Sequence, residues 1–277
     1  MKFNQLSALV LALSTAGLAQ AAPVVINAAS TTSYTQSFDT LTTSTTASTW
    51  GNDSTLAGWN LFTAAGAAIT TYVAGAGSSN AGSFYSFGTG TASDRALGSA
   101  ASGGAYFGSP ATGATAGFIA LALTNAGTSA ISSFTLAYDG EQWRNGGNTT
   151  AQSLTVQYGF GSSFAAVTSW TAAGSAFNFT SPVATATAAA VDGNAAANRV
   201  AGLGGSVATN WAAGATLWVR WVDLNDAGND HGLAIDNVSF SVPAATVTPE
   251  VPEPTSGAIA LAGLAVAGLV ARRRKAA

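Results

Sequence analysis

Apolar and polar residues alternate along several stretches of this chain, which is the pattern of β-strands that bury one face. The alternation is clearest in two segments, whose large apolar positions are Phe134, Leu136 and Tyr138, then Leu154, Val156, Tyr158 and Phe160. Between them, Asn145-Gly146-Gly147-Asn148 is typical of a tight turn. A turn centred on Gly147 predicts a hairpin with Phe134 opposite Phe160, and this register places every large apolar group on one face.

Later strands carry two further signals. Residues 217–222 are bulky on both faces, which predicts a strand in the centre of a sheet. In the last strand, Leu233 and Ile235 have one parity, whereas Val238, Phe240 and Val242 have the other. Keeping both sets inward requires one extra residue, so the pattern predicts a β-bulge near Asp236 and Asn237.

The number of strands sets the fold class. Further strands are predicted near residues 84–87, 105–107 and 118–123, and no convincing amphipathic helix lies between residues 23 and 243. We therefore expect an all-β domain, a two-sheet antiparallel sandwich of jelly-roll or concanavalin-like type.

The amino terminus has the pattern of an export signal. Lys2 supplies a positive start, residues 6–18 are apolar, and Ala19-Gln20-Ala21 is a small-x-small cleavage site. The apolar run is shorter than the ~20 residues that span a bilayer. We predict a signal helix over residues 1–21, cleaved after Ala21; the alternative is a buried N-terminal helix.

The carboxyl terminus combines three features in a fixed order. Pro252, Glu253 and Pro254 precede an apolar stretch over residues 257–271, and a cluster of cations follows it: Arg272, Arg273, Arg274 and Lys275. This order predicts a transmembrane helix whose basic end stays in the cytoplasm, by the positive-inside rule. The alternative is an ordinary tail anchor that happens to contain Pro-Glu-Pro.

These last 27 residues resemble the PEP-CTERM sorting tail of Gram-negative bacteria. The resemblance implies recognition by an exosortase-type membrane transpeptidase, with Pro252, Glu253 and Pro254 as the sorting motif. It also implies transient anchoring in the inner membrane, removal of the helix, and transfer of the body to the cell surface or extracellular matrix. The expected organisation is a signal peptide (1–21), a sandwich (22–243), a linker (244–250) and the tail (251–277).

Charge and composition narrow the partners of the body. Only 8% of the residues are charged, and four arginines stand against ten acidic residues between positions 22 and 249. A protein that binds nucleic acid needs clustered Lys and Arg to neutralise phosphates, so nucleic acid is not expected as a partner. The absence of cysteine excludes disulfides, thiolate metal sites and thiol nucleophiles.

One acidic and aromatic cluster is a candidate ligand face. In the predicted strand, Asp139, Glu141 and Trp143 share the face opposite the apolar one. An indole can stack on a sugar while carboxylates accept its hydroxyl protons, and same-face positions ~7 Å apart also permit glycosidase geometry. The structural alternative is that Glu141 pairs with Arg144 or Arg220 while Trp143 covers a second core.

A polar loop after the central strand is a candidate calcium site. Its oxygen-bearing residues are Asp223, Asn225, Asp226, Asn229 and Asp230, with Asp236 joining from the next strand. Ca²⁺ takes six to eight hard oxygen ligands, so calcium is the one cofactor that the sequence suggests. The spacing departs from an EF-hand, and the alternative is a polar loop held by Asx turns.

We expect a non-enzymatic surface or matrix protein that contacts extracellular polysaccharide. His231 is the only histidine, and no Gly-x-Ser-x-Gly elbow accompanies it, which counts against a Ser/His/Asp triad. Two alternatives stay open: a secreted glycan hydrolase using Glu141 and an Asp, and a structural or adhesive matrix component. Burial of Trp143 would favour the structural component.

Overall fold

A computed structural model describes residues 23–90 and 92–245, so the predicted signal helix and transmembrane helix lie outside the described residues. Sixteen strands occur in this part: β1 Val24–Ile26, β2 Ser33–Gln36, β3 Ser48–Thr49, β4 Trp59–Thr63, β5 Thr71–Gly75, β6 Ser83–Phe87, β7 Ala96–Ala100, β8 Thr115–Asn125, β9 Ile131–Asn145, β10 Ser153–Phe160, β11 Thr171–Ala172, β12 Phe179–Thr180, β13 Ala189–Ala190, β14 Arg199–Trp211, β15 Thr216–Leu224 and β16 Gly232–Ser241. Three short 3₁₀ helices cover Ala105–Phe107, Phe164–Ala166 and Ser175–Phe177. None of the helices within 23–90 and 92–245 is long and apolar enough to span a membrane.

The strands form two sheets, which confirms the predicted all-β sandwich. The first sheet has the order β1-β8-β15-β10-β11, with β4 on β8 and β12 on β10. The second has the order β13-β9-β16-β7-β6-β5-β3, with β14 on β9 and β2 on β16. Pairing is antiparallel except for β1 with β8 and β5 with β6, so the sheets are mixed at two places.

Strand β15 occupies the centre of the first sheet, as predicted, between β8 and β10. Its alternate side chains Leu217, Val219 and Trp221 point into the main core between the sheets. Trp218 and Val222 point the other way, into a second apolar layer on the outer surface of this sheet. Bulky residues on both faces therefore correspond to apolar cover on both faces.

The predicted hairpin between β9 and β10 is wrong. Strand β9 pairs with β16 on one edge and with β14 and β13 on the other, so neither edge is free for β10. Residues 146–152 carry the chain into the first sheet, where β10 pairs with β15. The apolar faces of both strands meet across the core instead, and the Phe134 and Tyr158 rings lie 5.5 Å apart between centroids.

The predicted bulge in the last strand is confirmed. Asp236 lies opposite Asp139, whereas Ser239 lies opposite Ala137, so β16 has one residue more than β9 in this interval. Asn237 takes a left-handed conformation with φ of 48° at the bulge. The extra residue keeps Ile235 and Val238 on the same buried side despite their opposite parity.

The three weaker strand predictions have mixed outcomes. Strands β6 and β8 include the segments predicted at 84–87 and 118–123. Residues 105–107 instead form a 3₁₀ turn between two glycines, Gly104 and Gly108, and the C-cap Gly108 has φ of 82°. Phe107 still contributes to the core from this turn, which explains why its apolar character resembled a strand position.

Candidate functional site

The candidate ligand face lies on the outer side of the second sheet. Ala234 of β16 is opposite Glu141 and Asp236 is opposite Asp139, so the acidic side chains of β9 and β16 share this side. The predicted alternation of β9 is therefore correct. However, Glu141 and Trp143 are 0% and 1% exposed, so neither side chain is accessible to a polysaccharide.

Trp143 is covered by a small apolar layer. Its ring stacks on Phe87 with 5.9 Å between centroids, in a cluster that includes Tyr85 and Ala234. The Val191 backbone N–H donates to the Trp143 carbonyl, and a Cβ added at Gly193 would overlap the indole. The segment after β13 therefore closes over this ring. The structural interpretation of Trp143 is the one that this packing favours.

Asp139 has a positioning role at two irregular places in neighbouring strands. Its Oδ1 accepts the Gly202 backbone N–H at 2.8 Å, beside the register shift of β14. Its Oδ2 accepts the Asn237 side-chain N–H at 3.2 Å, at the bulge of β16, and lies 3.8 Å from the Arg199 guanidinium. These contacts attach both irregular strands to β9.

Glu141 has one satisfied oxygen and one without a partner. The Trp143 indole N–H donates to Glu141 Oε2 at 2.9 Å, whereas the buried Oε1 has no hydrogen-bond partner among the described residues. Neither Arg144 nor Arg220 pairs with this carboxylate, because Arg144 donates to the Gly77 carbonyl and Arg220 to Gln157. Burial raises the pKa of Glu141 to about 7, and the Trp143 hydrogen bond opposes the shift.

Asp236 also has a buried carboxylate oxygen without a hydrogen-bond partner within the described chain and a raised pKa. It is 2% exposed, and its Oδ1 has no hydrogen-bond partner among the residues that the structure describes. Burial raises the pKa of Asp236 to about 8, and the negative charges of Glu141, Asp94 and Asp39 raise it further. The outer face of the second sheet therefore contains two buried, electrostatically coupled carboxyl groups.

The candidate calcium residues are distributed over several environments. Asp223 points into the core, where the Ser99 hydroxyl donates to its Oδ2 at 2.5 Å and burial raises its pKa to about 8. The Asn225 side-chain N–H donates to the Pro110 carbonyl. Asp236 belongs to the other sheet, beside Glu141.

The rest of that loop is held by hydrogen bonds within the loop and to the β9–β10 connection. Asp230 Oδ1 accepts the Asp226 backbone N–H at 2.8 Å, and the Asn229 carbonyl accepts the Gln152 side-chain N–H at 2.9 Å. Burial raises the pKa of Asp230 to about 7. Within residues 23–90 and 92–245, no three acidic or histidine side chains are close enough together to form a metal site. The predicted loop site stays a prediction.

His231 lies buried next to this loop. The Gly146 backbone N–H donates to its Nδ1 at 2.9 Å, so the proton of the neutral ring is on Nε2. Burial lowers the pKa of His231 and favours this neutral form. Through the Gly146 hydrogen bond, His231 attaches the β9–β10 connection to the start of β16.

A neutral groove at the edge of the second sheet was missed by the sequence patterns. This hydroxyl groove, of about 630 Å³, is formed by residues 43–47, β5, residues 76–83 and β6. Half of its lining residues carry a hydroxyl group, and the other half are Ala, Val and Gly. The hydroxyl-bearing residues are Thr43, Thr45, Thr71, Ser78, Ser79, Ser83, Tyr72, Tyr85 and Tyr106. Among the residues that the structure describes, no charged side chain lines the groove. In the sequence, the Ser- and Thr-rich stretch over residues 42–49 is the one feature that could have indicated this groove.

The tyrosines of the hydroxyl groove are fixed by their own hydroxyl groups. Tyr106 donates to the Thr71 carbonyl at 2.5 Å, and Tyr85 donates to the Ala81 carbonyl at 2.7 Å. Tyr72 accepts the Thr42 backbone N–H at 3.1 Å. Because the ring positions are set before any ligand arrives, binding would cost little side-chain ordering.

A second, smaller pocket lies on the outer side of the first sheet. This aromatic pocket, of about 390 Å³, has Phe62, Phe164 and Trp218 in its wall. The Phe62 and Phe164 rings stack with 4.1 Å between centroids. Asp53 and Asn60 supply polar groups at its margin, and the Asn60 side-chain N–H donates to Asp53 Oδ1 at 3.3 Å.

The fold thus defines a β-sandwich protein whose described residues include the hydroxyl groove, the aromatic pocket and a buried acidic pair, and the tail defines its destination. Residues 250–275 match the PEP-CTERM protein-sorting motif, so the chain ends in the C-terminal tail of an exosortase substrate. This motif implies an exported protein with a cell-surface or extracellular location.

Comparison with curated proteins gives no significant match. Among solved structures, the chain is similar to the CBM22-1 xylan-binding domain of Paenibacillus barcinonensis Xyn10C, with 9% identity and a TM-score of 0.35 over 77% of this chain and 95% of that one. It is also similar to the K3 cleaved adhesin domain of Lys-gingipain from Porphyromonas gingivalis, with 15% identity and a TM-score of 0.36 over 67% and 92%. Because both TM-scores are below 0.5, the fold assignment rests on the strands themselves.

Proposed function

We propose that this protein is a non-catalytic component of the cell surface or extracellular matrix that contacts a neutral polysaccharide through the hydroxyl groove. The observation that carries this proposal is the groove lining, in which the half-buried Tyr106 lies with serine and threonine hydroxyls and, among the described residues, no charged side chain; Tyr72 and Tyr85 also line it but are only 4% and 3% exposed. Sugar rings bind to aromatic side chains by their C–H faces and to hydroxyl groups by hydrogen bonds. The sorting tail supplies the location in which such a ligand is abundant.

The burial of Glu141 counts against the hydrolase alternative. Glu141 is 0% exposed, its Oε2 accepts the Trp143 indole N–H, and the segment near Gly193 lies against that indole. A glycosidase acid must reach the scissile oxygen directly or through one water molecule. A search for reducing ends released from the same polysaccharides, with wild type and Glu141→Gln compared, provides the discriminating measurement.

A structural or adhesive matrix component is the second candidate function. The burial of Trp143 favours it, because the face that was expected to bind a ligand serves as packing instead. Under this function the chain would be held in the matrix by its surface as a whole, and no single groove substitution would change its retention.

A groove-blocking experiment separates these two functions. Ala47 is exposed and lines the hydroxyl groove, so Ala47→Trp fills it, and Ala165→Trp does the same for the aromatic pocket. Ala213 is exposed and lies outside both pockets, so Ala213→Trp is the matched control. The assay is affinity electrophoresis of the full chain in mild detergent against uncharged xylan and β-glucan and against anionic alginate.

We expect retardation by at least one neutral polysaccharide and a loss of 10-fold or more in affinity for Ala47→Trp alone. That factor corresponds to about 1.4 kcal/mol of binding free energy. Loss of binding in Ala165→Trp with Ala47→Trp unaffected would assign the contact to the aromatic pocket. Equal retardation of all variants, or none for wild type, would favour the structural component.

A further inference from the structure

The buried acidic pair, Glu141 and Asp236, makes no salt bridge with any of the described residues. The two residues are diagonal neighbours on one face of the β9–β16 ladder, since Ala234 and Asp139 are their direct partners. Diagonal positions are ~7–8 Å apart, which is within the combined reach of two carboxyl side chains. The geometry therefore allows one small ion to contact both.

Each member of the pair has one buried oxygen without a partner. These atoms are Glu141 Oε1 and Asp236 Oδ1, in side chains that are 0% and 2% exposed. A buried carboxylate that lacks hydrogen bonds and a counter-charge is strongly unfavourable, and native structures rarely keep one. Two such atoms in neighbouring buried carboxyl groups would be satisfied by a bound proton or a bound cation.

The charges around the pair are mostly negative. The negative charges of Asp94 and Asp39 raise the pKa of Asp236, and no positive group among the described residues opposes them. Arg199 acts on Glu141, but its guanidinium lies 3.8 Å from Asp139 and is already paired. Five acidic residues, Glu141, Asp236, Asp39, Asp94 and Asp139, thus contribute negative potential at one place, and such a potential attracts a cation.

We propose that Glu141 and Asp236 together bind one hard divalent cation, with calcium the candidate available outside the cell. Carboxylate oxygens are the preferred ligands of Ca²⁺, and extracellular modules commonly bind it with dissociation constants of ~10⁻⁴–10⁻³ M. Since no third acidic or histidine side chain within 23–90 and 92–245 is in range, the remaining ligands of such an ion would have to be backbone carbonyls and water. This site differs from the polar loop, with which it shares only Asp236, and it does not depend on polysaccharide binding.

Calorimetric titration tests the proposal. The full chain in mild detergent is dialysed against EDTA, returned to chelator-free buffer at pH 7.5, and titrated with CaCl₂. We expect one site per chain in wild type and loss of that site in Glu141→Gln and in Asp236→Asn. Asp226→Asn is the matched control, because Asp226 belongs to the loop and not to the pair, and it is expected to retain the site.

Two further measurements keep the test valid if a variant does not fold. At calcium 100-fold above the dissociation constant, the Tm of wild type is expected to rise by roughly 5–10 °C. Terbium bound at the pair is expected to show tryptophan-sensitised luminescence, because the Trp143 indole N–H is 2.9 Å from Glu141 Oε2. That luminescence is expected to fall in Trp143→Phe while calorimetric binding persists.

Three outcomes would overturn the proposal. One is a folded wild type that binds no divalent cation at 5 mM. Another is binding that disappears in Asp226→Asn and persists in both pair variants, since this would place the ion in the loop. The third is a Tm that rises on acidification from pH 7.5 to 5.5 and does not change with calcium at either pH. That result would show that Glu141 and Asp236 share a proton instead of a cation. The charged groups around them are Asp39, Asp94, Asp139 and Arg199.

Discussion

Replacing Trp143 by alanine tests whether this residue holds the second sheet together or serves a ligand. The indole is 1% exposed and stacks on Phe87. A buried Trp side chain removes ~200 Å² from water, which at ~25 cal/mol per Å² corresponds to ~5 kcal/mol as an upper bound. Measured losses for Trp-to-Ala substitutions in cores are ~3–5 kcal/mol. Truncation also leaves Glu141 Oε2 without its donor.

We therefore expect Trp143→Ala to lower the free energy of unfolding by about 3–5 kcal/mol. Trp143→Phe keeps the stacking but removes the N–H donor, so we expect a loss of about 1–3 kcal/mol. Equilibrium denaturation in urea, followed by far-UV circular dichroism at fixed calcium, measures both. A change below 1 kcal/mol for Trp143→Ala, together with loss of polysaccharide affinity, would show that Trp143 is a ligand residue and that its cover opens in solution.

Two other predictions concern buried carboxyl groups. Burial raises the pKa of Glu141 to about 7 and the pKa values of Asp236 and Asp223 to about 8, above the ~4 of unfolded chains. The folded metal-free chain therefore holds more protons, and its free energy of unfolding in EDTA should fall as pH rises from 5.5 to 8.5; a rise in urea midpoints over that range would contradict this. Ser99→Ala removes the donor to Asp223 Oδ2 and should cost about 1–3 kcal/mol, whereas Ser132→Ala, on an exposed part of β9, should stay within about 0.5 kcal/mol in the same denaturation assay.

Alternation of apolar residues predicted which side chains enter the core but not which strands pair. Phe134 of β9 and Tyr158 of β10 both reach the core, yet they approach it from opposite sheets. A period of two determines which side chains of a strand face the core. Two strands with inward apolar faces can either pair within one sheet or lie opposite each other in two stacked sheets, and the pattern is the same in both cases. The bulge at Asn237 was predictable because a change of parity within one strand has only one local solution.

The candidate site depended on covering layers that the sequence did not show. The predicted face of Asp139, Glu141 and Trp143 exists, but β6 and the segment near Gly193 bury most of it. These covering residues are far from β9 in the chain, and many are small, so no local pattern indicated them. The coupling of Glu141 to Asp236 likewise depends on the β9–β16 pairing, which the hairpin prediction had assigned differently.

Whether the tail directs this sandwich to the cell surface is tested most directly by deleting residues 251–277. Cell fractions and medium are compared by immunoblotting, and mass spectrometry determines the carboxyl terminus of the recovered protein. The full chain should appear at the surface or outside the cell without its apolar segment, because residues 250–275 form a PEP-CTERM sorting motif. The deleted chain should be exported but neither processed nor retained at the surface. Recovery of both chains at the same place and with the same processed terminus would contradict tail-directed sorting.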